Sequence, residues 1–215
     1  MTTSDSKMVK REDVPSFAFL GRMASGKGTY TDSIRRAIEE EFSVQVYRVP
    51  SFSAKIADIA RDLFGAPDGA DGKPDRSLLQ AIGAKMKEVD PAVWANYLIR
   101  DIKRGNRLPF VVEGLRSAHE VGAFRDNFDN IVVVRIRANQ DKRVEVYKRV
   151  YGTYPTPEQL EHSTERMIDE LPCDVEIVND YTREGLDENV SLLLDFVRLD
   201  DITGGSARGM LRLDR

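Results

Sequence analysis

A chain of 215 residues with 41% hydrophobic content can bury one sizeable core, and a formal net charge of −4 leaves no global basic field to gather nucleic acid. The single cysteine, Cys173, excludes an internal disulfide framework and a cysteine-based zinc site, and suits a reducing cytosol. Nothing near the N-terminus has the pattern of a secretory signal and no apolar run approaches a membrane span, so a cytoplasmic protein with no membrane association is expected.

Residues 1–14 are polar and charged with no apolar period, and are expected to form a disordered arm. Phe17-Ala18-Phe19-Leu20 then makes an apolar run of strand character, leading into Gly21-Arg22-Met23-Ala24-Ser25-Gly26-Lys27-Gly28-Thr29. Gly21 and Gly26 bracket four residues and Lys27 follows. This is P-loop spacing, in which backbone N–H groups curl around a phosphate chain and the lysine reaches its outer oxygens. The context fits, because Tyr30, Ile34, Ala37, Ile38 and Phe42 recur at helical spacing after the loop. A nucleotide held by residues 21–29 is therefore expected. The usual pattern places Ser or Thr directly after the lysine to ligate Mg2+, whereas here Gly28 stands there and Thr29 follows. Mg2+ is then expected to arrive with the nucleotide and keep more of its waters, with no protein cluster forming a metal site.

Residues 44–49 alternate and are rich in β-branched residues, predicting a second strand that ends at Pro50. Ser51-Phe52-Ser53 caps a helix carrying Ile56, Ile59, Ala60, Leu63 and Phe64. Residues 65–74 have no hydrophobic period and read as a surface loop. Helical patterns resume through Leu78, Leu79, Ile82 and Met86, and again from Asp90-Pro91 through Trp94, Leu98 and Ile102. Residues 51–104 thus make a helical insertion over the substrate side. Residues 108–112 form a buried strand that delivers Glu113, Gly114, Leu115 and Arg116 at its end, and Ser117 can cap a short helix. Residues 131–137 are a strong strand, followed by a charged helix over 141–149 that the Tyr/Gly/Pro run from Tyr151 to Pro157 breaks. Residues 175–178 read as the last strand, and Leu186, Val190, Leu193, Leu194 and Val197 stripe the closing helix. The tail over 200–215 reads as flexible.

Strands alternating with helices imply an α/β fold, three layers (α/β/α) around a parallel sheet, in one domain over residues 15–199, and the loop spacing makes the expected fold one of the P-loop NTPase kind. Ligands bind beyond the strands' carboxyl ends, where Gly21, Pro50, Glu113 and Asn179 fall.

Phosphoryl transfer needs positioning and charge compensation more than covalent chemistry, so its footprint is a P-loop with cations and one or two carboxylates nearby. Lys27 is the expected partner of the outer phosphates. Glu113 ends an apolar strand, where a carboxylate is costly unless it meets a cation, a metal-bound water or a substrate; the plainer alternative is a salt bridge to Arg116. Arg116 either grips an acceptor phosphate or pairs with Glu113 or Glu120. Arg135, Arg137, Lys142, Arg143, Lys148 and Arg149 crowd the region before the break, the layout of a lid spanning about 142–172. Arg143 and Arg149 are the favoured lid cations, able to neutralise a migrating phosphoryl group while water is excluded. Asn179-Asp180 either contacts the nucleotide base or forms an ordinary turn. Trp94 either stacks a nucleobase or packs in the core. His119 and His162 read as surface residues.

Several stretches together resemble the P-loop nucleoside monophosphate kinases, and in particular the phage-type deoxynucleoside monophosphate kinases. Beyond the loop these are Ser51-Phe52-Ser53-Ala54-Lys55 with the helix through Gly65, Leu78-Leu79-Gln80-Ala81-Ile82-Gly83, and Asp90-Pro91-Ala92-Val93-Trp94. Val111-Val112-Glu113-Gly114-Leu115-Arg116-Ser117 is similar to the family's carboxylate-x-x-Arg turn, His162-Ser163-Thr164-Glu165 to a short lid motif, and Val178-Asn179-Asp180 to its base-contacting loop. The resemblance implies transfer of the ATP γ-phosphate, with Mg2+, to a (deoxy)nucleoside monophosphate. It implies acceptor contacts from Ser53, Lys55, Gln80, Trp94, Glu113 and Arg116, and nucleotide contacts from Asn179 and Asp180. A small-molecule nucleotide rather than nucleic acid is the expected partner, and a homodimer is left open. Dephospho-coenzyme A kinases share the implied fold but carry an acidic residue after the second strand, where this chain reads Pro50-Ser51-Phe52-Ser53; that reaction and phosphorylation of a modified base in DNA stand second. A non-catalytic nucleotide-binding regulatory module is the alternative of another class.

Overall fold

The structure is a computed structural model that describes residues 10–65, 75–161, 163–203 and 211–213. In chain order these form β1 (Ser16–Gly21), α1 (Lys27–Phe42), β2 (Tyr47–Arg48), α2 (Phe52–Phe64), α3 (Arg76–Val89), α4 (Val93–Arg104), β3 (Phe110–Glu113) and α5 (Ala118–Asn127). There follow β4 (Ile131–Ala138), α6 (Gln140–Tyr151), the short α7 (Pro157–Leu160) and α8 (Ser163–Met167), one 3-10 turn (Ile168–Glu170), β5 (Val175–Asn179), α9 (Arg183–Thr203) and β6 (Leu211–Leu213). The strands pair in parallel in the order β2-β3-β1-β4-β5-β6.

Sheet alternation assigns the core. β1 is central and covered on both faces, so all six of its residues are buried and it reads as a continuous apolar run. Phe17 and Phe19, with Val111, Val132, Val134, Val175 and Ile177, pack beneath Tyr30, Ile34 and Ile38 of α1 and Leu186, Leu193 and Val197 of α9. Ala18 and Leu20, with Phe110, Val112, Ile131 and Val133, meet Ala95, Leu98 and Ile102 of α4 and Val121 and Phe124 of α5 on the opposite face. These are the helices the period predicts, and they are the outer layers of an α/β/α sandwich.

Three features depart from the sequence reading. β2 is confined to Tyr47–Arg48 where a strand over 44–49 is expected; the Tyr47 and Val49 N–H groups donate to Pro109 O and Val111 O, while the Val46 N–H, on the outer edge, donates to Glu39 Oε1 at 3.1 Å. α9 continues to Thr203 and Leu211–Leu213 pairs alongside β5 where a flexible tail is expected; a strand of three residues carries no readable period. Arg135, counted from sequence among the lid cations, lies inside the sheet opposite Glu176, with Nη1 2.9 Å from Oε2 and the two residues 6% and 2% exposed. Its Nη2 donates to the Leu171 carbonyl, and Arg137 approaches the same carboxylate at 3.5 Å. A buried charge needs such partners. Val14, at the end of the predicted arm, is buried; residues 1–9, and 66–74 of the predicted surface loop, lie outside the described residues.

Candidate active site

The turn after β1 is shaped by its glycines. Gly21 has φ 154°, and a Cβ there would lie 2.5 Å from Ser25 Oγ and 2.7 Å from the Ile136 carbonyl oxygen. Gly26, at φ 94°, has the Asn179 amide pressed against the place a Cβ would occupy. Only glycine fits either position. Ala24 also adopts a left-handed conformation, φ 58°. Left-handed residues spaced within a turn expose successive N–H groups in a concavity suited to anions. α1 then begins at Lys27 with no side-chain cap and no acidic residue in its first turn, so its free N–H groups and positive dipole end face the same concavity. The Ser25 hydroxyl is fully buried there and, among the described residues, has no hydrogen-bond partner. An orphaned buried hydroxyl beside an uncapped helix start is what a phosphate chain would satisfy.

Lys27 folds back over the loop, its ammonium donating to the Gly21 and Arg22 carbonyls at 2.8 Å each. Burial pushes its pKa down to about 8, and the Arg116 guanidinium adds to the fall, while Glu165 and Glu113 pull the other way. Arg116, at the end of the β3 turn, donates to Glu165 Oε1 at 2.5 Å, and the Met23 N–H donates to Glu165 Oε2 at 2.6 Å. Burial alone would raise the Glu165 carboxyl, but the Met23 N–H and Arg116 outweigh it and hold it below the usual range. Arg22 pairs with Asp169 at 2.7 Å. Arg116, Lys27 and the Met23 N–H of the loop thus act on one buried carboxylate supplied by α8.

Of the residues expected from sequence, the structure brings together the loop 21–29, Lys27, Arg116, Glu113, Arg143 and Asn179. Arg143 is 5% exposed and donates to the Met23 carbonyl at 3.1 Å; burial, then the neighbouring Arg22, lowers its pKa. Glu113 does not pair with Arg116. Its Oε1 takes Arg48 at 2.8 Å, while Oε2 lies 3.7 Å from where a Gly28 Cβ would stand. Where the usual P-loop hydroxyl is missing, a carboxylate therefore faces the gap, which fits a hydrated Mg2+ held through its waters.

Other expected residues sit apart from this cluster. Arg149 is exposed on the last turn of α6; six residues from Arg143, it lies about 120° around the helix, so the two cannot share a face. Trp94 is 4% exposed and its indole N–H donates to the Gly83 carbonyl at 3.2 Å, which makes it the packing link between α4 and α3 rather than a stacking surface. Asp180 accepts from the Thr182 N–H at 2.9 Å, in a turn before α9. Ser53 bonds Ser51 at 2.8 Å, the Lys55 ammonium sits 5.6 Å from the centre of the Tyr97 ring, and Gln80 is exposed on α3. Cys173 is half-buried and burial raises its thiol pKa, which keeps it protonated and inert. His162 lies outside the described residues.

Sequence reasoning passed over Arg48, Asp169 and Tyr181, and named Glu165 only within a motif. Arg48 closes β2, and the rule that strand ends face the ligand could have found it. For Tyr181, whose hydroxyl donates to the Ala24 carbonyl at 2.9 Å, no local pattern gives a signal.

No family model matches the chain, and no curated protein matches it in sequence. Solved structures do match in shape. A sugar kinase from Janibacter sp. has 14% identity and TM-score 0.51, covering 85% of this chain and 95% of its own. A kinase candidate from Chloroflexus aurantiacus has 13% identity and TM-score 0.51, covering 86% and 97%. A Thermus thermophilus protein has 16% identity and TM-score 0.53, covering 85% and 98%. At these identities the likeness is one of fold. The parallel sheet with helices on both faces and a glycine-bracketed loop after its central strand is an α/β/α fold that these neighbours share. Among the described residues no helix is long and apolar enough to cross a membrane.

Proposed function

We propose that this chain is an ATP-dependent phosphotransferase that passes the γ-phosphoryl group to a (deoxy)nucleoside monophosphate. One observation carries the reading: the Lys27 ammonium is held in a buried position with Arg116 as its strongest electrostatic neighbour, which brings its pKa down to about 8. Glu165 is the anion these two cations share in the structure, and a phosphate entering the site would take its place between them. ATP bound with Mg2+ would supply the phosphoryl group, an acceptor phosphate oxygen bonding to the γ-phosphorus while the bond to the bridging oxygen breaks and ADP leaves with the electron pair.

The chain's own part is positioning. Ala24 and residues 26–29 present N–H groups to the triphosphate, Lys27 meets its outer oxygens, and Arg116 orients the acceptor anion. Glu113, beside Gly28, would hold Mg2+ through water. Glu165 competes with an arriving acceptor phosphate for Arg116, so α8 must yield as the acceptor binds. The acceptor is already anionic and no strong base is needed, which fits a site without histidine among the described residues.

The test is ADP release from ATP-Mg2+ with a panel of nucleoside monophosphates. Lys27→Ala abolishes turnover, and Arg116→Ala raises the KM of the acceptor more than that of ATP. Turnover only with hydroxyl acceptors would replace this reading with the dephospho-coenzyme A kinase-like one. ATP binding without turnover on any acceptor would leave a regulatory module.

A further inference from the structure

Three consecutive carbonyls of the loop are each taken by a different side chain from outside it. Arg143 Nη1 donates to Met23 O at 3.1 Å, Tyr181 Oη to Ala24 O at 2.9 Å and Asn179 Nδ2 to Ser25 O at 2.9 Å. Lys27 takes the two carbonyls before them, those of Gly21 and Arg22. In a trans peptide the C=O of one residue and the N–H of the next point in opposite directions. Pinning the carbonyls of residues 23–25 outward therefore turns the N–H groups of Ala24, Ser25 and Gly26 the other way. The Ser25 N–H closes a turn on Arg22 O at 3.1 Å; among the described residues the Ala24 and Gly26 N–H groups take no acceptor.

This arrangement is held against local preference. Ala24 at φ 58° and Tyr181 at φ 66° are both non-glycine residues in the left-handed region, and they are bonded to each other. Left-handed backbone is unfavourable for an ordinary residue, so it persists where surrounding contacts impose it. Asn179 supplies that constraint from both ends of its amide, since Oδ1 accepts the Tyr181 N–H at 2.9 Å while Nδ2 holds Ser25 O. Asn179 is 6% exposed and ends β5, so the brace is anchored in the sheet.

We infer that Tyr181 is a positioning residue of the phosphate cradle, acting with Arg143 and Asn179 to aim the loop's N–H groups at the triphosphate. This rests on the reading of residues 21–29 as that cradle. It gives Arg143 a different task from a lid cation: its guanidinium shapes the loop rather than meeting the migrating phosphoryl group. Burial carries the Tyr181 hydroxyl up to about 12, so it stays a donor at every working pH.

The probe is inorganic tripolyphosphate, titrated alongside ATP into the full chain. Tyr181→Phe removes one hydroxyl and weakens both ligands by a similar factor of about five, as the loss of one hydrogen bond would. The KM of ATP rises with it, the KM of the acceptor stays unchanged, and the melting temperature moves little. Arg143→Met gives the same pattern. Wild-type affinity for tripolyphosphate in Tyr181→Phe overturns the inference while leaving the cradle reading intact. A fall in kcat in Arg143→Met with unchanged tripolyphosphate affinity makes that arginine a catalytic cation and overturns its place in the brace. A wild-type chain that does not bind tripolyphosphate overturns both the cradle and this inference.

Discussion

The pKa of Lys27 makes binding at the proposed phosphate site pH-dependent in a calculable way. Burial and Arg116 bring it to about 8, from 10.5 for a free lysine. With that value the protonated fraction falls from about three-quarters at pH 7.5 to about one-thirtieth at pH 9.5, a factor of roughly 25. If the ammonium is what meets the outer phosphates, the affinity for ATP falls by about the same factor across this window, equivalent to about 2 kcal/mol. Binding near pH 8 also takes up about half a proton, because the bound anion restores the full charge of Lys27. Calorimetry in buffers of different ionisation enthalpy reads that uptake directly, and Lys27→Arg, which stays charged, should bind with nearly flat pH dependence. An affinity for wild type that does not change between pH 7.5 and 9.5, or no proton uptake at pH 8, would refute the placement of Lys27 at the phosphates. The folding side has its own sign. Because the folded pKa lies below the unfolded one, the unfolded chain binds more protons between about 8 and 10.5, and stability from this residue rises with pH through that window. The shift corresponds to at most about 3 kcal/mol. Lys27→Met should therefore be more stable than wild type to urea at pH 7, with the advantage shrinking as pH approaches 10.5.

Glu165→Gln removes the charge that competes for Arg116, so the acceptor KM should fall several-fold in steady-state kinetics; a rise would mean that Glu165 orients Arg116 instead. Trp94→Phe loses the bond to the Gly83 carbonyl and should cost about 1 kcal/mol in urea unfolding with kcat and both KM values unchanged; a selective rise in acceptor KM would return Trp94 to the site. Glu176→Ala leaves the Arg135 guanidinium buried without its carboxylate and should destabilise by about 3–5 kcal/mol, whereas Arg135→Met with Glu176→Leu should recover most of that loss in thermal melts.

The layers and the loop were legible because both announce themselves locally. A period of 3.6 over Tyr30, Ile34 and Ile38 names the covered face of α1, and the spacing of Gly21, Gly26 and Lys27 names the turn between a strand and a helix that forms the candidate cradle. The partners of the charged residues were not legible. Arg135 and Arg143 look alike in a basic stretch, yet alternation in β4 turns one toward Glu176 while the α6 stripe shared with Tyr147 turns the other toward Met23. Glu113 lies three residues from Arg116, the natural guess for a salt bridge, but the turn at Gly114, φ 88°, sends them to Arg48 and Glu165 respectively. Contacts across 49 or 157 residues, such as Arg116 with Glu165 or Tyr181 with Ala24, depend on strand order, which no local pattern encodes.

That dependence gives the buried pair between β4 and β5 a consequence at the loop. Arg135 and Glu176 are register partners, and three residues along the same ladder Ala138 stands opposite Asn179. Sliding β5 by one residue would move Asn179 about 3.3 Å and turn every side chain of the strand to the other face, carrying Glu176 under α9 among Val190 and Leu193 and Asn179 away from Ser25. An unpaired carboxylate in that apolar layer is far costlier than any contact the slip would add. The ion pair is a poor source of net stability, since both charges are desolvated, but it excludes the one-residue slips of β5, in which the loop's outer brace could not form.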